Sequence, residues 1–400
     1  MKIALFTDTF YDANGVSRFL QDMNRCAREA KRELRIFTST LKSFGEKSGG
    51  CVNPPPFFRM AMPFYPQLDL VFPPLGALRK AFEAFEPDIV HISTPGPVGI
   101  YGKRLAKKAG LPIVATYHTD FPSYLYDNTH RKEIEKFTYA TMRRFYGDFD
   151  RVLTRSGVYR PIVHRRVGVD QSRCRTLEAG TDTERFHPRH ADRFGWEEFG
   201  IPRGGIKILY VGRLSWEKNF DFLLEVWREF RRRSQVEASL IIAGNGRMEA
   251  HVRGREEEGI FYLGHRAGAE LSFLYAAADL FVTPSTTETL GQTILEAMAS
   301  ATPVIVSSKG GHLDFVGPEC GRIVASMQKE DWLRALRDLA EDRRTREHFS
   351  RAAFRRGQTM NIQKSFEDFW KNHQEVLSMH RSGDEETHRR SADVSGEFAQ

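Results

Sequence analysis

The chain repeats one pattern in two successive series: short β-branched or aromatic runs, each followed by a stretch with helical spacing. The first series is KIALFT (2–7), LRIFTS (34–39), DIVHIS (88–93), PIVATYH (112–118), RVLTRS (151–156) and RCRTLEAG (173–180). The second is IKILYVGRL (206–214), ASLIIAGNG (238–246), GIFYLGH (259–265), LFVTPS (280–285), TPVIVSS (302–308) and GRIVA (321–325). These runs are apolar without strict alternation, so both faces of each strand need cover, and the helices between them supply it. That is the pattern of buried parallel strands in doubly wound α/β sheets. HPRHADRFGWEEFGIPRGG (187–205), rich in charge, Pro and Gly, separates the series and is the expected linker. With 400 residues there is enough chain for two cores. The expected organisation is a first domain at 1–186, the linker at 187–205 and a second domain at 206–360. An amphipathic helix at 361–380 carries Phe366, Phe369, Trp370 and Val376 at helical spacing, and a polar tail at 381–400 reads as disordered. Two such sheets leave a cleft between the carboxyl ends of their strands, where ligands of these sheets bind.

The chemistry-bearing stretches follow strands of the second series. YVGRLSWEKNFD (210–221) sets Arg213 and Lys218 five residues apart, on a loop entering a helix for which Asn219 or Asp221 is the expected cap. Two cations at a strand's carboxyl end, facing a helix N-terminus, make a phosphate site: Arg grips oxygens in a fork, Lys acts as a mobile point charge. The same pair also fits an ordinary solvated loop, and its place at the cleft favours phosphate. In LFVTPSTTETLGQTILEAMASATPVIVS (280–307) a helix is expected to start near Leu290 to Gln292. Glu288 then precedes it and Glu296 lies in its second turn. Free backbone N–H groups of residues 289–292 point out of that end, and Gly291 lets a ligand approach. Within one continuous helix the two carboxylates would stand roughly 12 Å apart along the axis and about 80° apart around it. They cannot flank a single bond as a glycosidase pair does. Each suits a different part of a long polar ligand, and a nucleotide sugar has that shape: hexose, diphosphate and ribose in series.

Charge and composition bound the remaining classes. Between Arg79 and Arg166 stand 16 Lys/Arg against 9 Asp/Glu, a surplus equal to the whole-chain net charge of +7. KRLAKK (103–108), RK (131–132), RR (143–144) and HRR (164–166) read either as solvated helix faces or as a surface for an anionic partner. No zinc finger, RNP-type motif or helix-turn-helix accompanies them, so nucleic acid is not expected. No run approaches a membrane span, and MKIALFTDTFYDANG turns polar too early for a signal peptide, so a cytoplasmic protein is expected. Cys26, Cys51, Cys174 and Cys320 show no C-x-x-C pair and no zinc spacing, so neither disulfides nor a structural metal are expected. NPPPFFRMAMPFYPQLDLVFPPLG (53–76) reads as an irregular loop or short helix bordering the cleft, either packed on the core or serving as a flap toward acceptor or membrane.

The order of motifs carries a resemblance. E-T-L-G-Q-T-I-L-E (288–296) resembles the E-x7-E signature of the retaining glycosyltransferase family 4, whose members have the GT-B fold of two Rossmann-like domains facing across a cleft. MKIALFTDTFYDANGVSRF, TYHTDFPSY, LEAGTDTERFHP, GRLSWEK, AGNGRMEA, ADLFVTPSTTETLGQTILEAMA and TPVIVSSKGG follow the family's order over most of the chain. The resemblance implies that Glu288 and His118 stand at the transferred sugar as the catalytic pair. It implies donor contacts from Glu288, from the backbone of Thr289, Leu290 and Gly291, and from Glu296 to the ribose. Arg213 and Lys218 would neutralise the leaving diphosphate, a task that needs no metal. Gly15 would let its backbone approach the phosphate or sugar, and the backbone from Gly264 to Arg266 would read the base. Asp8, Thr9, Tyr11 and Asn14 are the acceptor-side candidates. Two departures bear on donor identity: Ala301 stands where glycine is common, and Leu290 where an aromatic is frequent.

Residues 116–156 look most similar to members that glycosylate lipids or build cell-envelope glycans, including mannosyltransferases and sulfoquinovosyl-diacylglycerol synthases. The expected activity is transfer of a hexose, first mannose from GDP-mannose and otherwise from a UDP-hexose, to a lipid or glycan hydroxyl, with the basic first domain docking on an anionic inner membrane face. A UDP-hexose enzyme acting on soluble glycans is the alternative. A dehydrogenase fits less well, because AGNGRME places Glu249 where the third glycine of G-x-G-x-x-G belongs. A nucleic-acid binder would leave Glu288, Glu296, Arg213 and Lys218 without work.

Overall fold

The computed structural model describes residues 1–12, 14–42, 50–62 and 65–397, with backbone course alone for 61–69 and from 384 onward. Its strands are β1 (Lys2–Phe6), β2 (Glu33–Phe37), β3 (Cys51–Val52), β4 (Phe58–Met62), β5 (Tyr65–Phe72), β6 (Ile89–Ile92), β7 (Ile113–Tyr117), β8 (Arg151–Thr154), β9 (Cys174–Thr176), β10 (Ile206–Val211), β11 (Ala238–Ala243), β12 (Ile260–Gly264), β13 (Leu280–Thr283), β14 (Val304–Ser307) and β15 (Gly321–Val324). They form two parallel sheets, ordered β3-β2-β1-β6-β7-β8-β9 and β12-β11-β10-β13-β14-β15. This is the two-domain α/β architecture read from the sequence, and every run assigned there to a strand is one. In each sheet the first strand lies inside. The chain winds outward to one side and then returns to the other, between β1 and β6 and between β10 and β13. At such switch points the helices leave on opposite faces and open a crevice at the carboxyl ends of the strands.

Two segments differ from expectation. Residues 53–76 are not irregular: β4 and β5 pair antiparallel, Phe58 opposite Phe72, as a ribbon separate from both sheets. The prolines that hid it flank the ribbon at 54–56 and 73–74, and an isolated ribbon tolerates Pro66 because no third strand needs its N–H. Segment 187–205 joins the two domains and is itself packed on the second. Ile201 is buried in the second domain, and Phe194, Trp196 and Phe199 pack around Phe273, with Phe199 stacked on it at 5.6 Å. The last helix does not stop at 380 but runs Ile362–Glu397, because its polar continuation is built from Glu, Asp, Arg and Ser without a Pro to end it; residues 398–400 lie outside the described residues.

That last helix completes the first domain. Ile362, Phe366, Phe369 and Trp370 join Phe19, Leu20 and Met23 of helix Gly15–Glu29 in one core on a single face of the first sheet. A buried polar relay fixes the register. The Thr116 hydroxyl lies 3.2 Å from His91 Nε2, His91 Nδ1 lies 3.0 Å from His373 Nε2, and His373 Nδ1 lies 2.7 Å from the Phe369 carbonyl. Because a carbonyl only accepts, His373 Nδ1 carries hydrogen, its Nε2 accepts from His91 Nδ1, and His91 Nε2 accepts from Thr116. Burial holds both rings neutral, pushing His373 down to about 4 and His91 well below its ordinary value. Arg151 closes the contact, donating to Glu375 at 2.7 Å.

Ala301, one of the two departures from the family pattern, lies just past helix Gln292–Ala299 with φ of +65°. The position wants glycine for its left-handed backbone, not for room beside a donor, and it does not line the cleft. An L side chain in that region costs about 1–2 kcal/mol. Ala301→Gly is expected to stabilise the protein by about 0.5–1 kcal/mol after the unfolded-state entropy of glycine is counted. A urea-denaturation midpoint that fails to rise would contradict this account.

Candidate active site

The carboxyl edges of both sheets line one cavity of about 1060 Å³. On the second-domain side, Lys218 Nζ donates to Glu288 Oε1 at 2.7 Å, and Arg213 lies 3.8 Å from Glu217 Oε1. Asn219 takes the N-cap position of helix Phe220–Arg233, as expected, but its side chain makes no cap hydrogen bond. It takes φ of +52°, and its Nδ2 donates to the Pro284 carbonyl at 2.9 Å, tying the β10 loop to the β13 loop. Burial pushes the Glu288 carboxyl up, but the Lys218 charge and hydrogen bond outweigh it and hold the group below the ordinary carboxylate range.

Gly291 is the N-cap of helix Gln292–Ala299, with φ of +92°, and a Cβ there would stand 3.0 Å from His312 Cβ. No side chain covers this cap, so the first N–H groups of the helix face the cavity. Leu290 turns its side chain into the second-domain core and presents backbone to the cleft. One turn into the helix, Glu296 is only 4% exposed and accepts from the Tyr275 hydroxyl at 2.8 Å. Burial raises its carboxyl above the ordinary range, against the opposing charges of Arg18 and Arg185. The two glutamates therefore occupy unlike environments, one paired to a cation and one set beside a phenol in a dry pocket.

The first domain supplies the facing wall. A Cβ on Gly15 would stand 3.7 Å from Gln292 Cβ, so the first residues of two helices meet at the cavity, which both line. Thr289 Oγ1 donates to the His118 carbonyl at 2.6 Å, bridging the domains. The His118 ring is buried with its Nε2 unpartnered, and burial together with the Arg155 charge pushes it well below the ordinary histidine value. It is a neutral imidazole.

The acceptor candidates divide. Asp8 lines the cavity, but its carboxylate accepts from Val98 N at 2.8 Å, Gly99 N at 3.3 Å and Thr94 Oγ1 at 2.6 Å, which caps helix Pro97–Lys108. Asn14 Oδ1 caps helix Gly15–Glu29 through Ser17 N, and its Nδ2 donates to Thr9 Oγ1, which also donates to Asp12. Tyr11 does not line the cavity: it is buried in the first-domain core and hydrogen-bonds Cys51. Beyond β12, the Gly264 carbonyl accepts from Gly244 N–H at 2.8 Å, while His265, Arg266 and Ala267 line the cavity. Gly244 is required for that contact. At φ of +140° a Cβ would stand 1.9 Å from the Gly212 carbonyl oxygen.

The sequence reading passed over two cavity residues. Tyr124 of helix Phe121–Thr129 reaches across to the phosphate-type cations. Its ring centre lies 5.9 Å from Arg213 and 5.8 Å from Lys218, and its hydroxyl is 3.4 Å from Lys218 Nζ. Arg155 follows β8 just as Arg213 follows β10, a placement visible in RVLTRS by the criterion that selected Arg213.

Residues 196–356 match the family described as glycosyl transferases group 1, and residues 13–185 match Glycosyltransferase Family 4. The chain belongs to these glycosyltransferases. The sulfoquinovosyl transferase of Arabidopsis thaliana is 28% identical over 387 residues, covering 88% of this chain and 69% of that protein. The alpha-monoglucosyldiacylglycerol synthase of Streptococcus pneumoniae is 27% identical, covering 76% and 70%. A GDP-mannose-dependent alpha-mannosyltransferase of Mycobacterium tuberculosis is also 27% identical, covering 80% and 82%. Among solved structures, a sucrose-phosphate synthase from Thermosynechococcus elongatus superposes with a TM-score of 0.76 at 19% identity, over 94% of this chain and 99% of that one. An Anabaena protein in complex with UDP and glucose gives 0.72 at 16% identity, over 96% and 100%. The fold is GT-B.

For this glycosyltransferase the raised Glu296 carboxyl has a signed consequence. The folded state holds that proton more tightly than the unfolded state. Stability without ligand is therefore lost as pH climbs from the unfolded value of 4.5 through the higher folded value. Glu296→Gln, still able to accept from Tyr275, is expected to raise the ligand-free melting temperature at pH 8 and to match wild type below pH 4.5. Thermal scans at the two pH values check it, and equal shifts at both would contradict it.

Proposed function

We propose that the enzyme moves a hexosyl group with retention from a nucleotide diphosphate sugar to a hydroxyl of a lipid or cell-envelope glycan. GDP-mannose is the first candidate donor and a UDP-hexose the second. The carrying observation is the succession along one wall of Glu288, an uncovered helix N-terminus with Arg213 and Lys218 beside it, and Glu296. In this reading Glu288 accepts from donor-sugar hydroxyls, Thr289 to Gly291 offer amides to sugar and phosphate, and Glu296 accepts from the ribose. Gly15 gives close backbone approach, and the backbone beside Gly264, from His265 to Ala267, meets the base. The named activities of the three relatives span sulfoquinovosyl, glucosyl and mannosyl transfer, and one name is that of a glycolipid synthase. They support the class and leave the sugar open.

In the favoured chemistry the acceptor hydroxyl attacks the anomeric carbon on the face the leaving group departs from. The acceptor oxygen–carbon bond forms, the carbon–phosphate oxygen bond breaks, and the acceptor proton passes to the departing diphosphate. Arg213 and Lys218 stabilise the charge that grows there, so no metal is required for that task. Positive charge grows at the sugar, as in other glycosyl transfers. A neutral His118 can accept from a sugar hydroxyl there, whereas an imidazolium would oppose that charge. Asp8, Thr9 and Asn14 shape the acceptor wall by holding its loop and helices, since their polar groups are engaged within the domain.

Nucleoside diphosphates should raise the melting temperature and NAD should not. Glu288→Gln should lower kcat about a hundredfold with little change in nucleotide affinity, as loss of one positioned charge at a reacting centre does. Glu296→Gln should weaken nucleotide binding about tenfold, the worth of a charge-assisted hydrogen bond. A covalent glycosyl-enzyme trapped on a side chain would sink the front-face route.

The acceptor reading has a surface to support it. Phe57, Phe58, Met60, Phe72 and Leu75 are exposed on and beside the β4–β5 ribbon, Phe57 at 73%, and Phe137, at 71%, stands at the cavity's edge. Part of the basic surplus is internally paired, Lys103 and Lys107 with Asp148 and Arg166 with Glu135. Among the described residues no helix is long and apolar enough to cross a membrane. Aromatics beside net positive charge suit peripheral docking on anionic lipid. In vesicle sedimentation the protein should pellet with anionic but not neutral lipid, and equal binding to both would refute the docking.

A further inference from the structure

Of the cavity guanidiniums that the transfer chemistry above does not use, Arg155 is the most deeply buried, set against an aromatic ring. It is 4% exposed, and among the described residues it makes no ion pair or hydrogen bond, with Nη1 buried and unpartnered. Its only close neighbour of consequence is the Phe19 ring, 3.9 Å beneath it. The contrast with Arg213, its counterpart beyond β10, is direct, since that side chain has Glu217 beside it. A guanidinium carries five N–H donors and keeps its charge in proteins, so a dry unpaired one is costly and calls for an acceptor from outside the chain. Burial does depress it, to about 9, with only the more distant Asp22 charge in opposition.

Its position says what that acceptor is attached to. The Phe19 ring that carries Arg155 lies 5.3 Å from the His118 ring, and both His118 and Arg155 line the main cavity. Arg155 also borders a smaller recess that carries the acids Glu178, Asp314 and Asp368, at the root of the cleft where the domains join; none of them pairs with the guanidinium, so the anion is placed on the main-cavity side. The diphosphate has Arg213 and Lys218 on the opposite wall, so Arg155 belongs to the end where sugar and acceptor meet. An unneutralised cation there would also oppose the positive charge that grows at the anomeric carbon. An anion seated on it removes that penalty.

We propose that Arg155 is a subsite for an anionic group, a carboxylate, sulfonate or phosphate, carried beside the reacting hydroxyl or on the transferred hexose. It binds that group in a fork with Phe19 as its floor. This rests on the transferase reading and narrows its substrate to one that is charged at the transfer end. The group comes from one of two sources, the sugar or the acceptor, and the same chemistry serves either.

The test reads melting temperature in the full-length protein at constant ionic strength, without nucleotide and with saturating UDP or GDP. Methyl α-glucuronide against methyl α-glucoside probes a sugar source, and glycerol phosphate against glycerol probes an acceptor source. In wild type one anionic probe should stabilise by about 2 °C or more beyond its neutral counterpart, as millimolar binding would. Arg155→Met should abolish that difference while protection by the nucleotide stays as in wild type, and the probe that responds identifies the source. Arg155→Gln and Arg155→Lys repeat the test if the methionine variant folds poorly; lysine, a point charge without the fork, should keep only part of the difference. A difference absent in wild type, or equally large in the variants, overturns the subsite. If neither nucleotide protects, the transferase reading fails, and the comparison without nucleotide still decides Arg155.

Discussion

Two parallel sheets can hold their carboxyl edges a ligand's width apart only if the chain ties them together at more than one place, and the last helix is the tie on which the cleft depends. It leaves the second domain and inserts Phe366, Phe369 and Trp370 beside Phe19 in the first-domain core. The relay from Thr116 through His91 and His373 to the Phe369 carbonyl gives the contact a register that apolar packing alone would leave loose. The first crossing, at 187–205, spends its aromatics on the second domain instead. Across the edge where the site lies run hydrogen bonds from Thr289 to the His118 carbonyl, from Gly157 N to Asp314 and from Lys218 to the Tyr124 hydroxyl.

Bringing two carboxyl edges together concentrates positive potential. Helices Gly15–Glu29 and Gln292–Ala299 aim their N-termini at one space, and Arg213, Lys218 and Arg155 stand around it. Without ligand the charge is only partly met, by Glu288 on Lys218 and Glu217 near Arg213. In the proposed reading a dianionic diphosphate would meet the charge of Arg213 and Lys218, while Arg155 on the facing wall is left to a second anionic group.

The strands were legible because their signal is local: apolar, β-branched runs of the right length between helical stretches. The β4–β5 ribbon was not, since its proline-dense flanks carry loop chemistry while the pairing that makes it a ribbon lies across a turn. Glu288, Glu296, Arg213 and Lys218 were legible because spacing after a strand fixes where a side chain emerges. Asp8, Thr9 and Asn14 were placed in the right loop, yet their polar atoms serve Val98, Asp12 and Ser17, partners that a polar loop sequence does not announce. Tyr11 went to the core for the same reason, an amphipathic ring with two environments on offer. Arg155 and Tyr124 acquire meaning only from what lies across the cleft, one with a buried nitrogen left without a hydrogen-bond partner and the other reaching the cations of the opposite domain.

The eight-residue spacing of the two glutamates takes on a different meaning once their surroundings are known. Glu288 is held as a carboxylate by Lys218, so a sugar hydroxyl binding there competes with an ion pair already formed. Phosphate arriving at Lys218 loosens that competition by offering the ammonium another anion. On the proposed function, sugar and phosphate recognition would then be coupled through one lysine, and a free hexose would gain less from Glu288 than the same hexose attached to a diphosphate. Glu296 has no such exchange. Its surroundings are Tyr275 and the buried pocket, so on the same reading ribose recognition would add to the rest independently. One helix N-terminus thus separates a conditional contact from an unconditional one, which a pair of identical residues at any spacing would not reveal by itself.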